Sequence, residues 1–204
     1  MTNSILVVDD DADVRDSVRA LLESAGFDVR DFDSAEQVLE DAAVAEGACL
    51  VADIRMPDMD GLTLQEELVR RHINLPVIVM TGNGDVPLAV RAMRAGAIAF
   101  IEKPFDDELF IECVQRALDR GNGSGNQDVL TQTDLAAIAS LTERERQVFE
   151  RLVAGLSNKA IAFELDISQR TVEVYRAHVM EKCQTQSLSD LVRLAFAAGL
   201  GPRR

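Results

Sequence analysis

The chain has 204 residues, 47% of them hydrophobic and 27% charged; this ordinary globular mixture excludes a disordered or fibrous chain and leaves room for one large domain or two small ones. The formal net charge is −14, and a body acidic throughout would repel nucleic-acid phosphate. No apolar run is long enough to cross a bilayer as a helix, and the start Met1-Thr2-Asn3-Ser4-Ile5 lacks the basic segment and cleavage site of a secretion signal, so a cytoplasmic protein is expected.

Up to residue 120, short apolar runs alternate with amphipathic stretches. The runs Ile5–Val8, Phe27–Val29 with Phe32, Ala48–Ala52, Pro76–Met80 and Ile98–Ile101 are rich in Val and Ile, and several are apolar without a break, as strands covered on both faces are. Helices are predicted over Ala12–Ala25, Ala35–Ala43, Leu62–Arg71, Val86–Ala95 and Asp107–Arg120. In the first of these, Val14, Val18, Leu21, Leu22 and Ala25 fall on one stripe. Gly26 stands where a helix C-terminal glycine belongs. Five strand–helix repeats predict an α/β domain, a doubly wound (βα)5 parallel sheet with right-handed crossovers and helices on both faces.

The run Gly121-Asn122-Gly123-Ser124-Gly125-Asn126-Gln127 has no apolar anchor and reads as a flexible linker. A first domain is therefore expected over 1–120, a linker with a connecting helix (Leu130 to Ser140) over 121–140, and a second domain over 141–204. The second shows no strand alternation. Four helices are predicted, over Glu143–Ala154, Asn158–Leu165, Gln169–Lys182 and Leu188–Ala198. The turn Asp166-Ile167-Ser168, with Ser168 as N-cap, separates a short helix from a longer one, the outline of a helix-turn-helix. Charge follows the same division. Residues 1–120 hold 11 Lys and Arg against 25 Asp and Glu, whereas residues 140–204 hold 10 against 8. The second domain thus escapes the objection to nucleic-acid binding.

Cys49, Cys113 and Cys183 are odd in number and far apart; they make no disulfide framework or metal-ligand spacing and read as buried thiols in a reducing compartment. His72 is expected to have no specific role.

Asp9-Asp10-Asp11 follows the first strand, Asp53 the third, Thr81 the fourth and Lys103 the fifth. In an open parallel sheet, the carboxyl ends of the strands converge on one crevice at the switch point in strand order. A single Asp after a strand is usually a turn or cap residue; the argument rests on four suitable residue types at four strand ends. Clustered carboxylates repel one another, and an all-oxygen set favours a hard ion such as Mg²⁺. A carboxylate beside such an ion and a lysine can attack a phosphoryl group while the cations neutralise its oxygens. Asp11 is expected to cap the first helix.

The runs Val7-Val8-Asp9-Asp10-Asp11, Asp53-Ile54-Arg55-Met56-Pro57-Asp58-Met59-Asp60-Gly61, Met80-Thr81-Gly82 and Glu102-Lys103-Pro104-Phe105 resemble a two-component receiver domain. The resemblance implies a flavodoxin-like fold of strand order 2-1-3-4-5 and phosphorylation of Asp53 by a sensor histidine kinase. It puts Mg²⁺ on Asp10, Asp53 and the backbone carbonyl of Arg55, with Asp9 acting nearby or through water. It makes Thr81 the hydroxyl that moves toward the phosphoryl group, Lys103 its charge partner and Phe100 the switch aromatic, and it implies a cis peptide at Lys103-Pro104.

Residues 141–200 resemble a LuxR-type helix-turn-helix, on Leu141-Thr142-Glu143-Arg144-Glu145-Arg146-Gln147-Val148, Gly155-Leu156-Ser157-Asn158-Lys159-Ala160-Ile161-Ala162 and Ile167-Ser168-Gln169-Arg170-Thr171-Val172-Glu173-Val174-Tyr175-Arg176. A receiver joined to this module resembles the NarL/FixJ class of response regulators. The run from Thr81 to Val90 looks most like its FixJ members, with Asn83 where those carry His. The resemblance implies a DNA-binding transcription regulator, an activator by family default, with RNA polymerase as a further partner, and no enzyme. The helix Gln169–Lys182 is about 20 Å long at ~1.5 Å per residue and can lie in a major groove. Val172 and Val179 are expected in the core. Arg170, Thr171, Glu173, Val174, Arg176 and Ala177 are expected at the groove, His178 in a structural or DNA-contacting place, and Asn158 and Lys159 at phosphate. The edge bearing Val90, Arg91, Met93 and Arg94 is expected to form a phosphorylation-dependent homodimer around an apolar Val90 centre.

Two alternatives stand beside this reading. Phosphatases of the haloacid dehalogenase type also combine an Asp nucleophile with Mg²⁺, but Arg55 occupies the place of the second acid of their Asp-x-Asp pair. The other is a DNA-binding module whose activity does not depend on phosphorylation.

Overall fold

The computed structural model describes residues 4–41, 43–82, 86–121 and 131–201. Asn83 and residues 122–130 of the expected linker lie outside the described residues. The chain folds as two compact units, one of 1–84 with 94–125 and one of 126–204 with 85–93.

In chain order the first 121 residues give β1 (Ser4–Val8), α1 (Ala12–Ser24), β2 (Asp28–Phe32), α2 (Ala35–Glu40), β3 (Cys49–Asp53), α3 (Gly61–Arg70), β4 (Val77–Thr81), α4 (Val86–Arg94), β5 (Ala99–Glu102) and α5 (Asp107–Gly121). All strands are parallel, in the order β2-β1-β3-β4-β5, so the α/β reading and the expected strand order hold. The unbroken apolar runs form β1, β3 and β4, which are buried along their whole length, while the edge strand β2 is half-exposed. Ile5, Val7, Val51, Ile78 and Met80 join Val18 and Leu22 of α1 and Phe110 and Val114 of α5 in one core. The alternate residues Leu6, Val8, Leu50, Ala52 and Val79 are equally buried, as the period of two requires for a sheet covered on both faces.

Local sequence sets the ends. Asp11 accepts from the Asp13 and Val14 amides and caps α1. Gly26 takes φ +86°, the left-handed turn expected of it. The helix predicted to run to Ala43 stops at Glu40, because the Asp41 carboxylate accepts from the Ala43 amide at 3.0 Å and pairs with Arg30. That local bond competes with helix propagation. Asp53 and Thr81 are the last residues of their strands rather than the first beyond them.

The C-terminal residues form α6 (Gln132–Ala139), α7 (Glu143–Ala154), α8 (Asn158–Leu165), α9 (Gln169–Lys182) and α10 (Leu188–Ala197). The connecting helix is α6, and the four predicted helices are the other four. Ser157, Ser168 and Ser187 cap α8, α9 and α10, and Thr142 with Glu145 closes a capping box on α7. Asp166 ends α8 at φ +54° and turns the chain into α9. Val148, Phe149, Leu152, Ile161, Val172, Val179, Leu191 and Val192 are buried together, which fixes the face α9 turns inward.

Candidate functional site

The strand ends bring Asp9, Asp53 and Lys103 into direct contact. The Lys103 ammonium donates to Asp9 Oδ2 at 2.5 Å and to Asp53 Oδ1 at 2.6 Å. The second oxygen of Asp53 accepts from the Arg55 amide at 2.5 Å, and Asp9 Oδ1 accepts from the Asp11 amide at 3.0 Å. The Lys103 amide donates to the Thr81 carbonyl at 2.8 Å, which ties the two strand ends together. Asp9, Asp53 and Thr81 are buried, whereas Asp10 is exposed. The Lys103-Pro104 peptide is cis. A Cβ on Gly61 would collide with the Asp53 carbonyl oxygen, so glycine at the start of α3 is what lets that helix begin so close to the acceptor loop. Phe100 is buried on β5 beside Val79.

Burial pushes the Asp9 carboxyl above its ordinary range and outweighs the hydrogen bonds from Lys103 and the Asp11 amide. Burial also acts to lower the Lys103 pKa, but hydrogen bonds and charge from Asp53 and Asp9 prevail and raise it. The lysine is therefore a fixed cation held between two carboxylates.

Among the described residues no three His, Cys, Asp or Glu side chains gather closely enough to hold a metal ion. Two of the expected carboxylates, Asp9 and Asp53, close on one ammonium, and the third, Asp10, is exposed on the same loop. The donor set is all oxygen, the chemistry that suits a hard cation.

Arg15, in the first turns of α1, was given no role by the sequence pattern. Its Nη1 donates to the Asp9 carbonyl at 2.6 Å, and its Nε lies 3.8 Å from Asp31. An isolated arginine in an amphipathic helix reads as solvated charge, so periodicity gives no sign of it.

On α9, Arg170, Glu173, Val174, Ala177 and His178 are exposed, Arg176 and Tyr175 are half-buried, and Val172 and Val179 are buried. At 100° per residue the exposed side is centred on Arg170, Val174 and Ala177, and Arg176 sits at its margin. Thr171 is half-buried, and its hydroxyl is engaged with Ser168 at 2.7 Å in the N-cap. Lys159 is exposed in the first turn of α8, and the Asn158 Oδ1 beside it is buried without a hydrogen-bond partner among the described residues. His178 Nδ1 lies 3.9 Å from Glu145. Glu145 itself was missed as a site residue, although the Thr-x-x-Glu spacing of a capping box was visible. It is buried, accepts from Lys182 of α9 at 2.6 Å and anchors the outer end of that helix to α7.

In α4, Arg91 and Arg94 are exposed, but Val90 and Met93 are covered, at 2% and 8% exposure. The open apolar centre expected at Val90 is thus not a free surface in this structure. Cys49, Cys113 and Cys183 are buried and take part in no disulfide, and burial raises the Cys49 pKa. No helix of the described residues is long and apolar enough to cross a membrane.

Residues 5–115 match the family of response regulator receiver domains, and residues 139–195 match the luxR family of bacterial regulatory proteins. The chain is 49% identical to the transcriptional regulatory protein FixJ of Bradyrhizobium diazoefficiens, over 96% of each chain. It is 50% identical to that of Azorhizobium caulinodans, over 96% of this chain and 93% of the other. Among solved structures, full-length FixJ from B. japonicum is similar at 48% identity and a TM-score of 0.56, covering 99% of this chain and 100% of that one. The response regulator StyR is similar at 41% identity and a TM-score of 0.55, covering 96% and 99%.

Proposed function

The chain belongs to the response regulators that join a receiver to a LuxR-type DNA-binding domain, the group of the FixJ transcriptional regulators, and we propose that phosphorylation of Asp53 is the event that switches it. It is a transcription regulator and not an enzyme, and membership of this family implies a sensor kinase and DNA as partners. The observation that carries the proposal is the Lys103 ammonium shared between Asp9 and Asp53, 2.5 and 2.6 Å away.

In this reading an Asp53 carboxylate oxygen attacks the phosphorus of a phosphohistidine on the kinase. The new O–P bond forms as the P–N bond breaks, the bonding pair goes to the imidazole nitrogen, and the ring leaves neutral because its other nitrogen already carries a proton. Asp10, Asp53 and the Arg55 carbonyl would hold Mg²⁺, with Asp9 nearby or through water; the ion supplies charge neutralisation to the transferring oxygens. Lys103 is already placed to pair with the phosphoryl group once it reaches Asp53. The Thr81 hydroxyl then turns toward that group, and Phe100 fills the space it leaves.

Phosphorylation promotes a homodimer through the α4 edge with Val90, Arg91, Met93 and Arg94. Because Val90 and Met93 are covered in this structure, activation must uncover them. Two α9 helices then reach half-sites about one helical turn apart. Arg170, Glu173, Val174, Arg176 and Ala177 face the groove and its walls, while Asn158, Lys159 and His178 lie toward the backbone; Thr171 contributes through its cap. The regulator works on DNA in the cytoplasm and brings RNA polymerase to its promoters.

Intact mass spectrometry after incubation with acetyl phosphate and Mg²⁺ tests the acceptor. The wild type gains one phosphoryl group and Asp53→Asn gains none. Equal gain in both would place the acceptor elsewhere.

A further inference from the structure

We propose that Arg15 is a positioning residue for the phosphoryl-acceptor site: it holds the Asp9–Asp10 peptide from which two of the site's carboxylates project. The inference rests on the reading of that site given above.

The pairing of β1 with β2 runs out at Val8 opposite Phe32. One more bond follows, from the Asp9 amide to the Phe32 carbonyl at 3.3 Å. The Asp9 carbonyl lies beyond the last paired residues of β1. Arg15 supplies the donor, Nη1 to that oxygen at 2.6 Å. The Asp9 carbonyl shares its peptide plane with the Asp10 amide, not with the Asp9 amide that bonds Phe32, so the ladder does not hold that plane, and its rotation would swing Asp10, the next residue, off the pocket. Each polar group of Asp9 now has a fixed partner: Phe32 and Arg15 on the main chain, Asp11 and Lys103 on the side chain.

Arg15 is itself held. Its side chain is 17% exposed, and its Nε is 3.8 Å from Asp31, which also pairs with Arg19. The helix fixes its origin, because the Arg15 amide donates to the Asp11 carbonyl at 3.0 Å in the first turn of α1. The guanidinium thus joins the β1–α1 loop to the edge strand at the place where the backbone ladder ends.

A second effect of Arg15 has the opposite sign. Its positive charge opposes any cation bound nearby, so loss of charge alone would tighten Mg²⁺ binding. Loss of positioning would weaken it. Supporting contacts behind metal ligands are commonly worth about tenfold or more in affinity.

Calorimetric titration of Mg²⁺ into the full-length unphosphorylated chain separates the two, with circular-dichroism melting to show that each variant is folded. Arg15→Ala is expected to weaken Mg²⁺ binding about tenfold, Arg15→Lys, which keeps a donor, to recover most of that loss, and Arg19→Ala to match wild type. Wild-type or tighter affinity in Arg15→Ala overturns the proposal. So does an equal loss in Arg19→Ala, which would trace the effect to Asp31 and the strand edge. A wild type that binds no Mg²⁺ overturns the reading of the site itself.

Discussion

Lys103 donates to Asp53 across 50 positions of sequence, Nζ to Oδ1 at 2.6 Å. The cation is in place before any phosphoryl group arrives, held by the same carboxylate that is proposed to be phosphorylated. Such preorganised charge needs no reorganisation as negative charge builds on the transferring oxygens. Lys103→Ala is therefore expected to slow phosphorylation by acetyl phosphate about 100-fold, the scale of losing one such donor. The rate of mass gain at saturating Mg²⁺ measures it; a wild-type rate would remove Lys103 from the chemistry.

The second prediction concerns pH and the DNA-binding unit. Hydrogen bonds from Lys182 and from the Thr142 amide and hydroxyl lower the Glu145 pKa from 4.5 to about 2. A carboxylate depressed by folding stabilises the fold above its unfolded value and loses that stabilisation as pH falls through its folded value. The Glu145 contribution should therefore be complete above pH 4.5 and fade toward pH 2. Glu145→Gln should cost roughly 1–2 kcal/mol near neutrality, the scale of a cap and a partly screened ion pair, and nothing near the acid end. Tyr175 is the only tyrosine and there is no tryptophan, so tyrosine fluorescence reports unfolding around α9 alone. A gap between variant and wild type that does not shrink on acidification would contradict this account.

The third prediction separates two arginines of α9. Arg170 lies exposed near the centre of the outward face, while Arg176 is half-buried at its margin. Base contacts specify and phosphate contacts position. Arg176→Ala should weaken binding almost equally on all sequences and lower the salt slope by about 1, whereas Arg170→Ala should cost about 1–3 kcal/mol on the preferred site and relax its sequence preference. Binding selections followed by titrations at several salt concentrations check both. An unchanged salt slope for Arg176→Ala would take it off the phosphate backbone.

The parallel sheet and the pocket were legible because both follow from patterns short in sequence, whereas the strand order followed from the resemblance to a receiver domain. Unbroken apolar runs mark buried parallel strands, and the residue at each strand end lands on one rim of the sheet. Asp9, Asp53, Thr81 and Lys103 could be picked out on that basis. Arg15 could not, because its partner is a backbone carbonyl left over where a strand pair ends, and nothing in helical spacing records that. The early end of α2 was missed for a similar reason: Asp41 prefers the Ala43 amide and Arg30 to another turn of helix. Covered Val90 and Met93 read as surface because an amphipathic helix with alternating arginines looks the same whether or not something lies over its apolar stripe.

The last prediction is that phosphorylation changes the oligomeric state. Val90 and Met93 are 2% and 8% exposed, so as they stand they cannot supply the dry centre that a specific dimer needs. Arg94 is exposed, and so are the acids Glu102, Asp106 and Asp107. A two-fold axis would set Arg94 of one copy against an acid of the other, with Val90 at the centre once uncovered. The unphosphorylated chain should then sediment as a monomer and the phosphorylated chain as a dimer. Arg94→Glu tests the pairing without placing a charge in a buried site. It should take up phosphate on Asp53 as wild type does yet remain monomeric, because like charges then oppose each other across the axis. Constant mass for phosphorylated wild type would rule out dimerisation as the switch, and a dimer of undiminished strength in Arg94→Glu would place the interface away from α4.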